Sequence, residues 1–152
     1  MTKIFAQRET LHVCKHTHTH RQRREFSDAR GLGGRKCCQV FSDKSKYVPS
    51  AAALINGTLA HSLDFDDTHA EASLHSSAPI LAAAFSAAQM KNCSGQELIT
   101  ACVLGYEIQI RLGLAGGSSA HYKRGFHPTA TCGIFGAAAA AGYIVGLSKE
   151  QF

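Results

Sequence analysis

Two short polar stretches carry the residue types that move protons. One is Asp64-Phe65-Asp66-Asp67-Thr68-His69 followed by His75, and the other is His121-Tyr122-Lys123-Arg124-Gly125-Phe126-His127-Pro128. Carboxylates packed this closely repel, which raises the pKa of at least one of them unless a cation or a donor compensates. Imidazoles such as His75 and His127 titrate near neutrality and pass a proton in either direction. Each of these two histidines also stands just before a helix, where free backbone amides can help hold a substrate anion. The plainer reading stands beside this one: the three aspartates are cap and turn carboxylates, and a histidine before a proline is a surface loop residue.

Such groups need elements to hold them, and the sequence predicts mostly helices. Pro49-Ser50 opens a helix running from Ala51 to about Leu63, with Pro at a start position that tolerates it. The acidic knot ends that helix. A second helix starts at Ser77-Ala78-Pro79 and stops near Asn92. Ser94-Gly95-Gln96-Glu97 has the S-x-x-E form of a capping box and opens a third, to about Leu114. Its Val103, Leu104, Ile108, Ile110 and Leu112 are apolar on several faces, which predicts burial among other helices. Glu107 and Arg111, four apart, pair as a structural bridge. Gly116-Gly117-Ser118-Ser119 breaks the chain, His121 to His127 forms a polar loop, and a fourth helix runs from Pro128 to about Gly146. Ahead of the helices, residues 38–41 and 46–48 flank Ser42-Asp43-Lys44-Ser45 as a small hairpin would. The fold class is therefore all-α: about four main helices, a short extended piece near 36–48, and a disordered basic tail over residues 1–24.

Composition narrows the function. Of 152 residues, 45% are hydrophobic and 18% charged, which fits one globular domain and excludes a disordered chain. The first 50 residues carry 11 Lys and Arg against 4 acids and the remainder 5 against 7, so the net charge of +5 belongs to the front segment. A nucleic-acid-binding domain places its basic patch on the folded surface, and none is expected here. The alternating His16, His18 and His20 lack a carboxylate companion and read as a solvated segment rather than a metal centre. Six cysteines without a CxxC pair point to a reducing compartment, the cytoplasm or alternatively the mitochondrial matrix. Residues 129–147 carry no charge, but the alanine run 137–141 has too little apolar area for a membrane span. Ser148-Lys149-Glu150-Gln151 again matches a capping box and predicts a helix that is only starting, hence a truncated chain with apolar faces uncovered.

The residues quoted so far, read with their neighbours, carry a likeness. Ala52-Ala53-Leu54-Ile55-Asn56-Gly57-Thr58-Leu59-Ala60-His61-Ser62-Leu63-Asp64-Phe65-Asp66-Asp67-Thr68-His69, then His75-Ser76-Ser77-Ala78-Pro79, Gly105-Tyr106-Glu107 and Gly125-Phe126-His127-Pro128-Thr129 resemble the MmgE/PrpD family, which includes 2-methylcitrate dehydratase and cis-aconitate decarboxylase. The likeness runs from roughly Phe26 to the last residue. It implies part of a large helical domain that, with a smaller α/β lid, forms a lyase, usually a homodimer needing no metal or organic cofactor. It places the family's active-site Asp and Thr on Asp64 and Thr68 and its histidines on His75 and His127, and it implies proton removal beside a carboxylate, which takes a base together with donors or cations that hold the enediolate charge. In that chemistry His75 and His127 share acid and base duties, Asp64 orients a histidine or a donor, Thr68 hydrogen-bonds substrate, and Lys123 or Arg124 holds a distal carboxylate. The likeness further implies a small polycarboxylate substrate, with 2-methylcitrate dehydration, as in propionate metabolism, the first expectation and cis-aconitate-type decarboxylation the alternative. Two readings from other classes stand against it. One is a non-catalytic helical interaction module. The other is a Mg²⁺-dependent phosphatase, because Asp64 to Thr68 also satisfies D-x-D-x-T; that pattern follows an apolar β-strand, whereas Asn56-Gly57, His61 and Ser62 precede it here.

Overall fold

The computed structural model describes residues 33–41 and 43–152; the basic front segment with its alternating histidines lies outside the described residues. Strand β1 (Cys38–Gln39) pairs antiparallel with β2 (Lys46–Tyr47), Cys38 opposite Tyr47, so the expected small hairpin is present. Five helices follow: α1 (Pro49–His61), α2 (Ser77–Lys91), α3 (Gly95–Gly116), α4 (Ser118–Lys123) and α5 (Pro128–Val145). Pro49 and Pro128 each stand in a first turn, where the missing N–H is no loss. Asn92 ends α2 in the left-handed region at φ 55°, which its short polar side chain tolerates. The hairpin packs on α1 through Cys38, Val40, Tyr47 and Val48 against Ala51, Ala52, Ile55 and Leu59. Buried Asn56 ties the two together, donating to the Gln39 carbonyl at 3.0 Å and accepting from the Phe41 amide at 3.1 Å.

The short helix α4 corrects the sequence reading of a polar loop from His121 to His127. Six polar or small residues show no apolar period, so nothing in the pattern distinguishes them from a loop. Gly117, at φ 66°, makes the break between α3 and α4 that an L side chain would resist.

A second correction concerns α3. Of the large apolar residues expected inside, Val103, at 59% exposure, and Leu112 face outward, whereas Leu104, Ile108 and Ile110 are half-buried, Ile110 against Ala72, Leu74 and Cys132. The buried positions are instead Ala101, Gly105, Gln109 and Gly113, one stripe repeating every four residues. Facing it, α5 buries Cys132, Gly133, Gly136, Ala139 and Ala140. Apart from Gln109 the buried residues of the two facing stripes are small and let the backbones approach closely, while Val103, Leu112 and Leu114 turn outward. Both α3 and α5 are long and apolar enough to cross a membrane by length and composition, so α3 joins the segment singled out from sequence. Glu107 and Arg111 do pair on the open face of α3, at 2.7 Å.

The capping box that opens α3 is complete. The Ser94 hydroxyl accepts from the Glu97 amide, and the Glu97 carboxylate accepts from the Ser94 amide and hydroxyl. Those bonds hold the Glu97 carboxyl below its ordinary value. A depressed carboxyl pKa stabilises the fold above the unfolded value, near 4.5, and the contribution fades as pH falls through the lowered one. Ser94→Ala is therefore expected to lower the urea midpoint at pH 7 more than at pH 3. Equal losses at both pH values would remove the carboxylate from the cap.

Candidate functional site

Three histidines from three parts of the chain meet beside the acidic knot. His61 comes from the last turn of α1, His75 from the loop ahead of α2, and His127 is the residue that caps α5. Their ring centroids lie 5.0 Å apart for His61 and His75, 6.3 Å for His61 and His127, and 6.4 Å for His75 and His127. Asp64 sits at φ 55°, in the left-handed region that a short polar side chain tolerates, with its side chain 78% exposed and Oδ1 3.5 Å from His75 Nε2. Thr68 Oγ1 lies 3.4 Å from His75 Nδ1. Asp64, Thr68, His75 and His127 are thus brought to one place, although 63 residues separate the first from the last.

Backbone hydrogen bonds fix which ring nitrogen carries the proton. The Thr129 amide can only donate, and it donates to His127 Nδ1 at 3.1 Å, so His127 holds its proton on Nε2. The Asp67 carbonyl can only accept, and it lies 3.0 Å from His75 Nδ1, so that nitrogen donates and Nε2 is left to give or take a proton. The two imidazoles therefore present opposite tautomers. His61 donates from Nδ1 to Asp66 Oδ2 at 2.9 Å.

A further layer holds the His75 loop in place. Thr129 Oγ1 accepts from the His75 amide at 2.9 Å, so one residue is bonded to both His75 and His127. Gln109, fully buried in α3, donates to the His75 carbonyl at 3.1 Å. Asp67 Oδ1 accepts from the Ser77 amide at 2.9 Å, and the Ser77 hydroxyl bonds the Tyr106 hydroxyl. Burial, chiefly, pushes the Tyr106 phenol above its ordinary value, with nearby Asp67 adding to the effect. The aspartates are thus compensated by donors: Asp66 by His61 and Asp67 by the Ser77 amide. Asp67 and His127 thereby engage the first free amides of α2 and α5, those of Ser77 and Thr129.

Lys123 and Arg124 are exposed at the end of α4, and among the described residues neither side chain makes a hydrogen bond or ion pair. It is Tyr122 from that turn whose ring lies 5.6 Å from His127, its hydroxyl donating to the Ser73 carbonyl at 3.3 Å. Sequence reasoning passed over Tyr122, His61, Asp66, Gln109 and Thr129 as site residues. Asp64 follows a helix, α1, rather than a strand, so the framework a D-x-D-x-T phosphatase needs is missing here.

Comparison with known proteins agrees with the motifs. Residues 15–152 match the MmgE/PrpD N-terminal domain, a match that begins upstream of Phe26. A cis-aconitate decarboxylase-like protein of Aspergillus oryzae is 34% identical over 121 residues, 75% of this chain and 25% of its own length. The cis-aconitate decarboxylase of Aspergillus terreus is 34% identical over 119 residues, covering 75% of this chain and 24% of that protein. That of Mus musculus is 40% identical over 109 residues, covering 70% and 22%. The chain spans about a quarter of the length of these relatives. With the family pattern matched over nine-tenths of its length, the chain belongs to the MmgE/PrpD family.

Proposed function

We propose that this chain provides the histidine-bearing part of a lyase that decarboxylates a small polycarboxylic acid of the cis-aconitate kind. Decarboxylation rather than 2-methylcitrate dehydration is favoured because the relatives at 34–40% identity are decarboxylases by name. The observation that carries the reading is the pair of opposite tautomers, His75 with Nε2 available and His127 with Nε2–H, their ring centroids 6.4 Å apart. In the reaction the carbon–carbon bond to one carboxylate breaks and carbon dioxide leaves. The electron pair passes into the carbon skeleton, and a proton completes the carbon that receives it. His75 Nε2, which the bond to Asp67 leaves bare, takes up a proton from solvent beside Asp64 and delivers it to that carbon. His127 Nε2–H donates to a carboxylate that stays, and Thr68 hydrogen-bonds it. Lys123 and Arg124 supply positive charge at the rim, and residues outside this chain complete the pocket.

The test is a chimaera in which this chain replaces the matching segment of the Mus musculus enzyme, assayed for carbon dioxide release from cis-aconitate. The chimaera is expected to turn over cis-aconitate, and the 152-residue chain alone to be inactive, because positioning requires the whole pocket. Turnover of 2-methylcitrate instead would replace decarboxylation by dehydration. A correctly folded chimaera inactive on both acids would favour a non-catalytic helical module.

A further inference from the structure

Asp66 holds a carboxylate oxygen that the proton chemistry leaves unexplained. Its side chain is only 6% exposed, and while Oδ2 receives His61, Oδ1 makes no hydrogen bond although it is turned toward His75 Nδ1 at 3.5 Å. A buried anionic oxygen without a donor is costly, and a cation relieves it. Around it, His61, Asp64, Asp66 and His75 each offer a ligand atom, and all four atoms lie within 4.8 Å of one another.

We propose that these four residues bind a divalent transition-metal ion, with Zn²⁺ the best fit. Two imidazoles and two carboxylates suit zinc, whereas Mg²⁺ and Ca²⁺ prefer all-oxygen sets. Zinc bonds of about 2.0–2.1 Å in a tetrahedron place neighbouring ligand atoms roughly 3.4 Å apart. The observed separations are 2.9 Å for His61 Nδ1 to Asp66 Oδ2 and 3.5 Å for His75 Nε2 to Asp64 Oδ1; the ion takes the place of the proton on His61 Nδ1, and the Asp66 carboxylate meets it with both oxygens, the orphaned Oδ1 included. Asp64, exposed at the rim, is the arm with freedom to close on the ion. The hydrogen bond from His75 Nδ1 to the Asp67 carbonyl is the outer-shell contact that orients a histidine ligand and leaves Nε2 for the metal. Metal and proton transfer at His75 Nε2 exclude each other, so the ion acts as a reversible blocker of this cluster. The binding itself is independent of the reaction proposed above.

Co²⁺ titration of the 152-residue chain, followed by visible absorption and reversed by Zn²⁺, tests the site without any activity measurement. A variant with His12, His16, His18 and His20 changed to Ala removes the competing histidines of the front segment. It is expected to retain the tetrahedral cobalt bands. Asp66→Asn and, as a more exposed substitution that spares folding, His61→Gln are each expected to weaken binding at least about tenfold. Bands that vanish with the front histidines, bands unchanged in both cluster variants, or no bands in the parent chain would each overturn the proposal.

Discussion

His75→Asn, introduced into the chimaera with the Mus musculus remainder, is expected to lower kcat for cis-aconitate by roughly 10²–10⁴-fold, the range for loss of a positioned proton donor. The substitution is chosen for what it keeps. An Asn amide still places a donor where Nδ1 stands, so the bond to the Asp67 carbonyl survives, and the His75 amide and carbonyl still reach Thr129 and Gln109. Only the group at Nε2 is lost, 3.5 Å from Asp64. A fall in kcat with KM little changed would therefore identify a group acting in the transition state rather than in binding. If kcat stays within a few-fold of the parent, His75 is not the proton donor and the tautomer argument fails with it. Lys123→Ala is expected to act differently: its side chain touches nothing in the cluster, so its effect should fall on KM and shrink as salt is raised.

What could be read from the sequence followed from strong local chemistry. Prolines at helix starts, the Ser94–Glu97 box and Asn92 mark element ends because each satisfies or removes a particular backbone group, and the helices start and stop within a few residues of where these predict. Asp64, Thr68, His75 and His127 stand out as polar residues between apolar helices, and the fold gathers them. The residues that hold them in place were less legible. Gln109 lies within an apolar run, and its importance comes from a position four residues from Gly105 on the small-residue stripe, visible only once the α3–α5 approach is known. Thr129 is one residue into a helix, where its hydroxyl would ordinarily serve its own backbone; here it reaches back to His75. His61 belongs to the last turn of α1, and only the turn at Asp64 folds Asp66 back onto it. Val103 and Leu112 lie outside for the same reason: hydrophobicity favours larger apolar side chains, while the close α3–α5 contact selects for small ones.

That selection makes Gly136→Ala the most damaging of the conservative substitutions. A Cβ there would stand 2.7 Å from the Gly105 carbonyl oxygen, 3.0 Å from Gln109 Cβ and 3.3 Å from Ile80 Cδ1. Backbone oxygen cannot rotate away, so α3 and α5 must part. In an open helix the change would stabilise by about 1 kcal/mol through propensity. Overpacking a fitted contact costs about 1–3 kcal/mol, and a clash with backbone belongs to the upper part of that range, about 2–3 kcal/mol; less the propensity gain, a net loss near 1–2 kcal/mol is expected, roughly 2–8 °C in melting temperature for a chain of this size. Gly95→Ala is the matched control, because no atom lies within 4 Å of its would-be Cβ, and it should melt at or above the parent. The second consequence reaches the cluster. Gln109 rides on the face that Gly136 leaves open, and its bond to the His75 carbonyl is the link between helix spacing and imidazole position. Parting the helices should therefore lower turnover of the chimaera below the melting range as well. A Gly136→Ala chain that melts no lower than Gly95→Ala would show that α3 and α5 do not meet backbone to backbone, and the account of how His75 is held would fall with that contact.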